Sequence, residues 1–330
     1  MKENLYIPPY TITDKTVNLV SQITELITRI TINDRMNKNP KLRRDNRIKT
    51  IQASLAIENN SLSLEQVTDI VNGKRILGAP SEIFEVKNAF EAYEILLQFN
   101  PLSQKDLLKA HHILMKQLTD KPGVYRTGGV GVFSGKKVVH VAPSAEFVPQ
   151  LMSDLFNWLR ESDAHPLIKS CVFHYEFEFI HPFIDGNGRM GRMWQTLLLY
   201  QWNTVFGWLP IETLIRERQQ EYYKILGECD HLGDSGQFVE FLLTVIYDAL
   251  IEIDETEQVT VQVTEQVKKL LMCLGNQVYS TKELMDLLGL KHRPTFRNNY
   301  LLPAIEMGLV EMTIPESPNS RMQKYKRTGH

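Results

Sequence analysis

The residues best suited to chemistry lie close together, in a short glycine-rich run between two predicted helices. The run reads His181-Pro-Phe-Ile-Asp-Gly-Asn-Gly-Arg-Met-Gly-Arg192. Pro182 should end the helix before it, and helical periodicity resumes at Met190. The glycine turn is therefore predicted at a helix N-terminus, where unpaired backbone amides and the positive end of the helix dipole favour an anion.

The side chains of this run would complement a phosphate group. Arg189 and Arg192 are three residues apart, so they share one face of the first helical turn and both could reach phosphate oxygens. Asp185 supplies the kind of oxygen ligand that Mg²⁺ takes alongside phosphates and water. His181 is the only group in the run that titrates near neutral pH, which makes it the natural general base.

This run resembles the HPFxDGNGRxxR signature of the Fic family of nucleotide transferases, and it matches the signature at every position. A looser resemblance extends over about residues 40–250. The resemblance implies a mainly α-helical Fic-type core with a small β-hairpin flap at the active site. It also implies transfer of AMP from ATP, with Mg²⁺ or Mn²⁺, to a hydroxyl side chain of a target protein or of the protein itself.

The resemblance gives each residue of the run a role. His181 would take the proton from the attacking hydroxyl, and Asp185 would hold the metal that bridges the α- and β-phosphates. Arg192 would bind the terminal phosphate, and Arg189 would help to hold the phosphate chain. The anion hole around the phosphates would be formed by Gly186, Asn187 and Gly188.

A second glycine-rich segment precedes the run. Two short β-rich stretches at residues 130–133 and 138–141 flank Ser-Gly-Lys-Lys, which predicts a β-hairpin. Gly123-Val-Tyr-Arg126, just before it, is similar to the family's flap. Such a flap would pair through its backbone with an extended target segment, and backbone pairing tolerates many sequences, so the target stays unknown. The residues expected to dock the target are Gly129, Val130, Gly131 and Val132.

Ser54 and Glu58 form a third candidate element, far upstream of the signature. They are four residues apart, so they share a helix face about 6 Å apart along the axis. Taken alone, this spacing is also that of two residues on the solvated face of a helix that ends at Asn59. With the signature present, however, residues 54–59 resemble the family's inhibitory motif, [S/T]xxxE[G/N]. By that resemblance Glu58 would pair with Arg192 and keep it from the phosphates of ATP.

The elements that must position these residues are mostly helical. Ser63 and Gln66 form a predicted capping box at the start of one helix. Apolar periodicity and breakers together predict helices over residues 14–36, 47–57, 64–71, 84–97, 104–117, 149–161, 167–180, 190–201, 210–226 and 237–251.

The chain then changes character. A short polar repeat, Thr256-Glu-Gln-Val and Thr264-Glu-Gln-Val, marks a linker or helix edge and a domain boundary near residue 255. Beyond it we predict helices over 265–273, 282–288 and 294–307, then strands over 309–314 and 322–327. That order is typical of a winged helix-turn-helix domain. The predicted regions are 1–105 with the inhibitory helix, 106–254 as the catalytic core, and 255–330.

This last region is basic in an otherwise near-neutral chain. From Lys291 onward it carries 7 basic and 3 acidic residues, whereas the whole chain has a net charge of -2. Arg293, Arg297 and the neighbouring asparagines fall where a recognition helix reads the edges of DNA bases. The remaining basic residues of this group fall on the predicted wing. DNA is therefore a candidate partner, and a surface for protein contacts or a homodimer is the alternative. The predicted wing bases are Arg321, Lys324, Lys326 and Arg327.

Composition narrows the class of protein. The chain has 330 residues, 43% apolar and 23% charged, as in ordinary globular proteins. Its 3 cysteines are widely spaced, which argues against a disulfide framework or a zinc site and favours the cytoplasm. No apolar stretch approaches the 20 or so residues needed to cross a membrane, so no membrane partner is expected.

Three functions compete on this sequence. The first is an autoinhibited protein adenylyltransferase, with removal of AMP by the same site as a variant. The second is a DNA-binding regulator whose Fic core only senses nucleotide, although a sensor has no need of the His181 base. The third is a metal hydrolase that would use His174, His181 and Asp185, but the aromatic neighbours of His174 indicate a packed helix.

Overall fold

The structure is a computed structural model that describes residues 6–33, 40–134, 137–275, 277–306, 308–316, 318, 320 and 322–328. The chain divides into two compact units, Met1–Ile251 and Glu252–His330. The mainly α-helical fold is confirmed. In chain order, the described α-helices up to residue 274 are α1 (Asp14–Asn33), α2 (Pro40–Ile57), α3 (Leu64–Val71), α4 (Pro80–Ile95), α5 (Gln104–Leu114), α6 (Val148–Glu161), α7 (Pro166–Ile180), α8 (Asn187–Trp202), α9 (Ile211–Glu217), α10 (Gln219–Leu232) and α11 (Gly236–Leu274).

Local sequence signals explain several helix ends. The capping box before α3 is present: the Ser63 hydroxyl accepts from the Gln66 amide, and the Gln66 side chain accepts from the Ser63 amide. Asn59, predicted to end the inhibitory helix, has φ 69°, a left-handed conformation that asparagine tolerates. α2 begins at Pro40, earlier than predicted, because proline is well suited to the first turn of a helix.

The pair α7 and α8 forms the centre of the first unit and carries the signature between its two helices. Both helices are buried around most of their circumference, as expected for helices surrounded by others. α2 packs against α4, α8 and α9, so the helix that carries Ser54 and Glu58 lies beside the helix that carries Arg192. This packing determines the site.

The predicted hairpin is present. β1 (Gly131–Ser134) pairs antiparallel with β2 (Lys137–Val141), with Gly131 opposite Val141 and a bulge between Val132 and Phe133. Two of the four turn residues, 135 and 136, lie outside the described residues.

Two helix predictions are wrong. The predicted helix over 210–226 is two helices, α9 and α10, separated at Arg218. The buried residues Ile215, Tyr222 and Cys229 keep a seven-residue spacing across the break, so periodicity alone concealed it. The predicted helices over 237–251 and 265–273 are one helix, because α11 continues through the predicted linker or helix edge to Leu274, and residues 237–274 contain neither glycine nor proline. None of the helices in the described ranges is both long and apolar enough to cross a membrane.

The second unit contains a small sheet packed on short helices. β3 (Val278–Ser280), α12 (Thr281–Leu287), α13 (Arg293–Phe296), a π-helical turn at Arg297–Leu301 and α14 (Leu302–Glu306) precede β4 (Val310–Met312) and β5 (Lys324–Arg327). The sheet order is β3-β5-β4, all antiparallel. β3 was missed because three residues carry too little pattern. This order is compatible with the predicted winged helix-turn-helix domain.

Candidate active site

The loop between α7 and α8 takes its shape from two left-handed residues. His181 has φ 50° and ψ 60°, and its amide donates to the Phe177 carbonyl at 3.0 Å, which ends α7. A left-handed residue other than glycine costs about 1–3 kcal/mol, so the surrounding contacts must hold it in place. Gly186 has φ 84° and precedes α8; a β-carbon there would collide with the Met115 side chain. The predicted glycine turn at the start of a helix is therefore present.

Asn187 closes this loop with its side chain. Its carboxamide accepts from the Phe183 amide and donates to the Phe183 carbonyl, both at 2.9 Å. Because both ends of the carboxamide are engaged, the side chain of Asn187 is structural. Its contribution to the predicted anion hole is reduced to its backbone amide at the start of α8.

His111, on α5, contacts this loop, and the sequence analysis did not identify it. Its ring stacks on Phe183 with centroids 3.6 Å apart. The Gly123 amide donates to Nδ1 at 2.7 Å, so Nε2 carries the proton and donates to the Asp185 carbonyl at 2.9 Å. Burial lowers the pKa of His111 to about 4, so the ring is neutral at physiological pH.

Arg126 ties the signature loop to the base of the flap. Its guanidinium is buried and donates to the carbonyls of Ile180 and His181, at the end of α7, at 3.2 and 2.7 Å. It also donates to the carbonyls of Gly128 and Pro143, on either side of the hairpin, at 3.0 and 2.6 Å. The family resemblance included Arg126 only as part of the flap sequence, whereas its contacts make it the joint between the flap and the loop.

The two histidines of α7 and its end differ sharply. His174 is fully buried, with Gln195 at 2.7 Å from Nδ1 and the Tyr222 hydroxyl at 3.1 Å from Nε2. Burial lowers its pKa to about 3, and no group of three His, Cys, Asp or Glu side chains in the described ranges is placed to hold a metal. His181 donates from Nδ1 to the Glu178 carbonyl at 3.3 Å, which makes Nε2 its basic nitrogen. The geometry therefore gives no support to a hydrolase metal site.

Asp185 and Arg189 are joined to each other. The Oδ1 atom of Asp185 accepts from the Gly186 amide at 2.6 Å and from Arg189 Nη2 at 2.9 Å. Its side chain is 56% exposed. One accessible carboxylate, next to a helix N-terminus, fits the way that proteins hold Mg²⁺ together with nucleotide phosphates. Arg189 is buried, and its guanidinium contacts the carboxylates of both Asp185 and Glu85.

Arg192 is held by the helix that precedes the signature by more than a hundred residues. Its Nη2 donates to Glu58 Oε1 at 2.7 Å and to the Ser54 carbonyl at 3.0 Å, while its Nε donates to the Ser54 hydroxyl at 3.1 Å. Burial by itself would lower the pKa of Arg192, but the negative charge of Glu58 outweighs it and raises that pKa above its ordinary value. The ion pair expected from the resemblance is present.

Glu58 also lies directly over the start of α8. A β-carbon on Gly188 would collide with Glu58 Oε1 and would stand 3.0 Å from Arg192 Nη1. The carboxylate therefore lies beside the first backbone amides of the helix, where an anion is favoured. Glycine at position 188 is required for this close approach.

A cleft brings four of these groups together. Glu58, His181, Gly188 and Arg192 line it, and α10 contributes a second set of residues that sequence reasoning missed. Tyr223, Gly227 and Asp230 are four and three residues apart, so their spacing places them on one face of the helix. The lining residues from α10 are Tyr222, Tyr223, Leu226, Gly227 and Asp230.

The predicted docking residues of the flap lie at the start of the hairpin. Gly129 and Val130 lie before β1, and Gly131 and Val132 are in it. Gly129 and Val130 are not among the residues that line the cleft. Their link to the site runs through Arg126, which holds both ends of the hairpin against the end of α7.

Comparison with known proteins agrees with this geometry. The profile of the Fic/DOC family matches residues 101–199, and that of the "Filamentation induced by cAMP protein Fic-like, C-terminal domain" matches residues 265–328. A crystal structure of a Fic family protein from Desulfovibrio desulfuricans G20 is 54% identical and covers 98% of this chain and 99% of its own, with a TM-score of 0.75. Fic-1 from C. elegans shares the fold at 22% identity, with a TM-score of 0.61 and 74% of this chain covered against 73% of its own.

Curated relatives carry a functional name. "Protein adenylyltransferase Fic" of Nematostella vectensis is 28% identical over 203 residues, or 58% of this chain and 45% of that protein. "Probable protein adenylyltransferase aq_aa38" of Aquifex aeolicus is 28% identical over 253 residues, or 68% and 76% of the two chains. The match thus spans less than half of the Nematostella relative. Taken with the near full-length match to the Desulfovibrio structure, these similarities show that the chain belongs to the Fic family.

Proposed function

We propose that the protein transfers AMP from ATP to a hydroxyl side chain of a target protein, and that Glu58 restrains this activity. The observation that carries the proposal is the position of Glu58. Its carboxylate pairs with Arg192 and fills the space over Gly188, and these are the two places best suited to bind a polyphosphate. The curated names of the relatives support the same reaction.

Nucleotide binding would use the cleft as it stands, apart from Glu58. The free amides at the start of α8 and the Arg192 guanidinium would hold phosphate oxygens. The aromatic ring of Tyr223, in the same cleft, offers a surface for a nucleoside. An aromatic surface and a cationic, amide-rich site in one cleft are what a nucleoside triphosphate needs.

The transfer itself needs a base and a stabilised phosphate. Nε2 of His181 would accept the proton of the attacking hydroxyl, whose oxygen forms a bond to the α-phosphorus. The bond from that phosphorus to the bridging oxygen breaks, and pyrophosphate leaves. The left-handed His181 is fixed by Arg126 through its carbonyl, so the base is oriented before the nucleotide arrives.

Asp185 is the residue that would hold Mg²⁺ or Mn²⁺. A bound divalent ion would neutralise charge on the phosphates. His111 fixes the Asp185 backbone, while Gly186 and Arg189 engage one oxygen of its carboxylate. The chain's own contribution is therefore an oriented carboxylate beside the helix N-terminus.

Inhibition follows from competition for Arg192. A carboxylate on the guanidinium removes a phosphate ligand, and its negative charge beside the helix N-terminus repels the incoming polyphosphate. Release of Glu58 would admit ATP. The reverse reaction, removal of AMP from a modified target, could use the same groups and remains an alternative direction for the site.

The target would dock along the flap, which offers two short strands for backbone pairing near the end of α7. The three cysteines are free thiols, which suits a reducing cytoplasm as the place where ATP is used.

The second unit supports a separate proposal, that it binds DNA. Arg293, Arg297, Asn298 and Asn299 are exposed at the start of the helical segment that follows α12, where base readers belong. The basic residues of the predicted wing support this less, because Lys326 pairs with Glu311 at 2.8 Å and Arg321 lies outside the described residues. A regulator that only senses nucleotide would bind DNA without transferring AMP.

One experiment tests the transfer reaction. The wild type, Glu58→Gly and His181→Ala are incubated with labelled ATP, GTP, UTP or CTP, alone and with a lysate. Mass spectrometry then reads the modified residues. We expect AMP adducts on hydroxyl side chains with Glu58→Gly and none with His181→Ala. Labelling by no variant with any nucleotide would contradict the proposal.

A further inference from the structure

Arg189 is the residue of the signature whose contacts differ most from its expected role. Its Nη2 donates to Asp185 at 2.9 Å, and its Nη1 lies 3.4 Å from Glu85 Oε1, on α4. The Arg189 side chain is only 6% exposed. A guanidinium buried between two carboxylates is already neutralised, so little of its charge remains for a phosphate.

Glu85 is itself fixed by the residue that follows the inhibitory helix end. Asn60 Nδ2 donates to Glu85 Oε2 at 2.8 Å, while Asn60 Oδ1 accepts from the Leu62 amide at 3.1 Å. Because an amide proton must point at Oδ1, the side chain cannot be flipped, and its nitrogen donates to Glu85 and, at 3.3 Å, to the Glu82 carbonyl. Asn60 is buried, so this contact is shielded from solvent.

We propose that Glu85 is a positioning residue that holds the Arg189 guanidinium on Asp185 and thereby orients the carboxylate that binds the metal. This inference rests on the proposed function, because it assigns Asp185 to a metal. Arg189 and the Gly186 amide occupy Oδ1 of Asp185, so the carboxylate is pinned through one oxygen and presents the other. Arg189 then acts through Asp185 and is not a ligand of the phosphates.

The same contacts link the two arginines of the signature to one short segment. Residues 58 to 60 contact Arg192 directly through Glu58, and Arg189 at one remove through Asn60 and Glu85. Movement of this segment would therefore change both the phosphate ligand and the orientation of the metal ligand. An inhibitory segment that only covered Arg192 would have no such second connection.

The test is nucleotide binding with and without metal, in the Glu58→Gly background so that Arg192 is available. Calorimetry measures ATP affinity in EDTA and in Mg²⁺ for the parent and for Glu85→Gln, which keeps the shape and loses the charge. Glu82→Gln is the matched control, since the Glu82 carboxylate accepts from the Ser61 amide of the same loop at 2.6 Å, whereas the carboxylate of this helix that pairs with Arg189 is that of Glu85. Glu85→Asp, which keeps the charge, should rescue part of the effect.

We expect the ATP affinity of Glu85→Gln in EDTA to stay within two-fold of the parent. The gain, that is, the increase in ATP affinity when Mg²⁺ replaces EDTA, should be about ten-fold smaller than in the parent, as for other residues that orient metal ligands. Glu82→Gln should keep the full gain. An unchanged gain in Glu85→Gln would overturn the proposal. Tighter ATP binding in EDTA would also overturn it, because a released Arg189 would then be a phosphate ligand.

A crystal structure of Glu85→Gln without nucleotide gives an independent readout. Arg189 moving off Asp185 supports the proposal, and Arg189 remaining on Asp185 contradicts it. If the Glu58→Gly parent itself fails to bind ATP, the proposed function is at fault, and this structure still decides the role of Glu85.

Discussion

Replacing Glu58 is the most direct test of the ion pair with Arg192. Glu58→Gly removes the carboxylate and, because residue 58 lies just beyond the end of α2, disturbs few helical hydrogen bonds. Glu58→Gln removes only the charge. Arg192→Ala and the double variant remove the proposed phosphate ligand. They therefore separate the loss of inhibition by Glu58 from the loss of the phosphate site.

The structure sets the expected magnitudes. A hydrogen bond between charged groups contributes about 1.5–3 kcal/mol, and each 1.4 kcal/mol is a factor of ten in affinity. Removing this competitor should therefore tighten ATP binding by about 10- to 100-fold, with a similar rise in labelling. Breaking a buried pair costs about 3–5 kcal/mol of stability. We expect a smaller cost of about 1–3 kcal/mol here, because Glu58 is 30% exposed and Ser54 keeps its two contacts with Arg192.

The assay combines calorimetry of ATP binding with labelling by ³²P-ATP at saturating Mg²⁺. Glu65→Gly, an exposed position on α3, is the control for a glutamate-to-glycine change that touches no arginine. Arg192→Ala should not gain activity, and the double variant should behave like Arg192→Ala. Circular dichroism confirms folding. A folded Glu58→Gly that binds ATP no more tightly than wild type would refute the reasoning and leave Ser54 and Glu58 as a helix end.

Four further expectations can be checked separately. His181→Ala should slow transfer by about 10²- to 10⁴-fold and leave ATP affinity within two-fold in calorimetry, since the imidazole moves a proton and holds no phosphate. Asp185→Ala should weaken Mg²⁺-dependent ATP binding and transfer together in a Mg²⁺ titration; unchanged curves would make it a turn residue only. Because burial lowers the pKa values of His111 and His174 to about 4 and 3, below the unfolded value near 6.5, stability should be full above about pH 6.5 and should fall by up to about 1.4 kcal/mol per histidine per pH unit below it, as urea unfolding at several pH values would reveal. If residues 265–330 bind DNA, full-length protein should lose affinity steeply with salt in fluorescence anisotropy, and absence of binding at low salt would favour a protein contact.

Features set by neighbouring residues were predictable from the sequence. The capping box at Ser63 depends on contacts three residues apart, and it is present. The left-handed Asn59 follows from the properties of asparagine. The glycine turn at the start of α8 follows from Pro182 and Gly186, which restrict the backbone locally.

Features set by tertiary packing were not predictable in this way. The ion pair between Glu58 and Arg192 came from the family resemblance, since spacing alone left Glu58 on a solvated face. Arg126 and His111 carry no local pattern, because each matters through backbone carbonyls that other segments supply. Nothing in the sequence indicated that Arg189 contacts Glu85, which lies more than a hundred residues earlier.

Burial of Arg192 would link the proposed inhibition to the stability of the fold. A guanidinium enclosed between α2 and α8 needs a negative charge beside it, because an unpaired charge in the interior is strongly unfavourable. Glu58 supplies that charge without nucleotide, and the terminal phosphate of ATP would supply it in the proposed complex. If ATP binds as proposed, the two counter-charges compete for one cation, so whatever stabilises the site without ATP weakens ATP binding. A variant that loses Glu58 should therefore be less stable alone and recover stability on binding ATP, which is how competition for a single buried charge differs from a steric block.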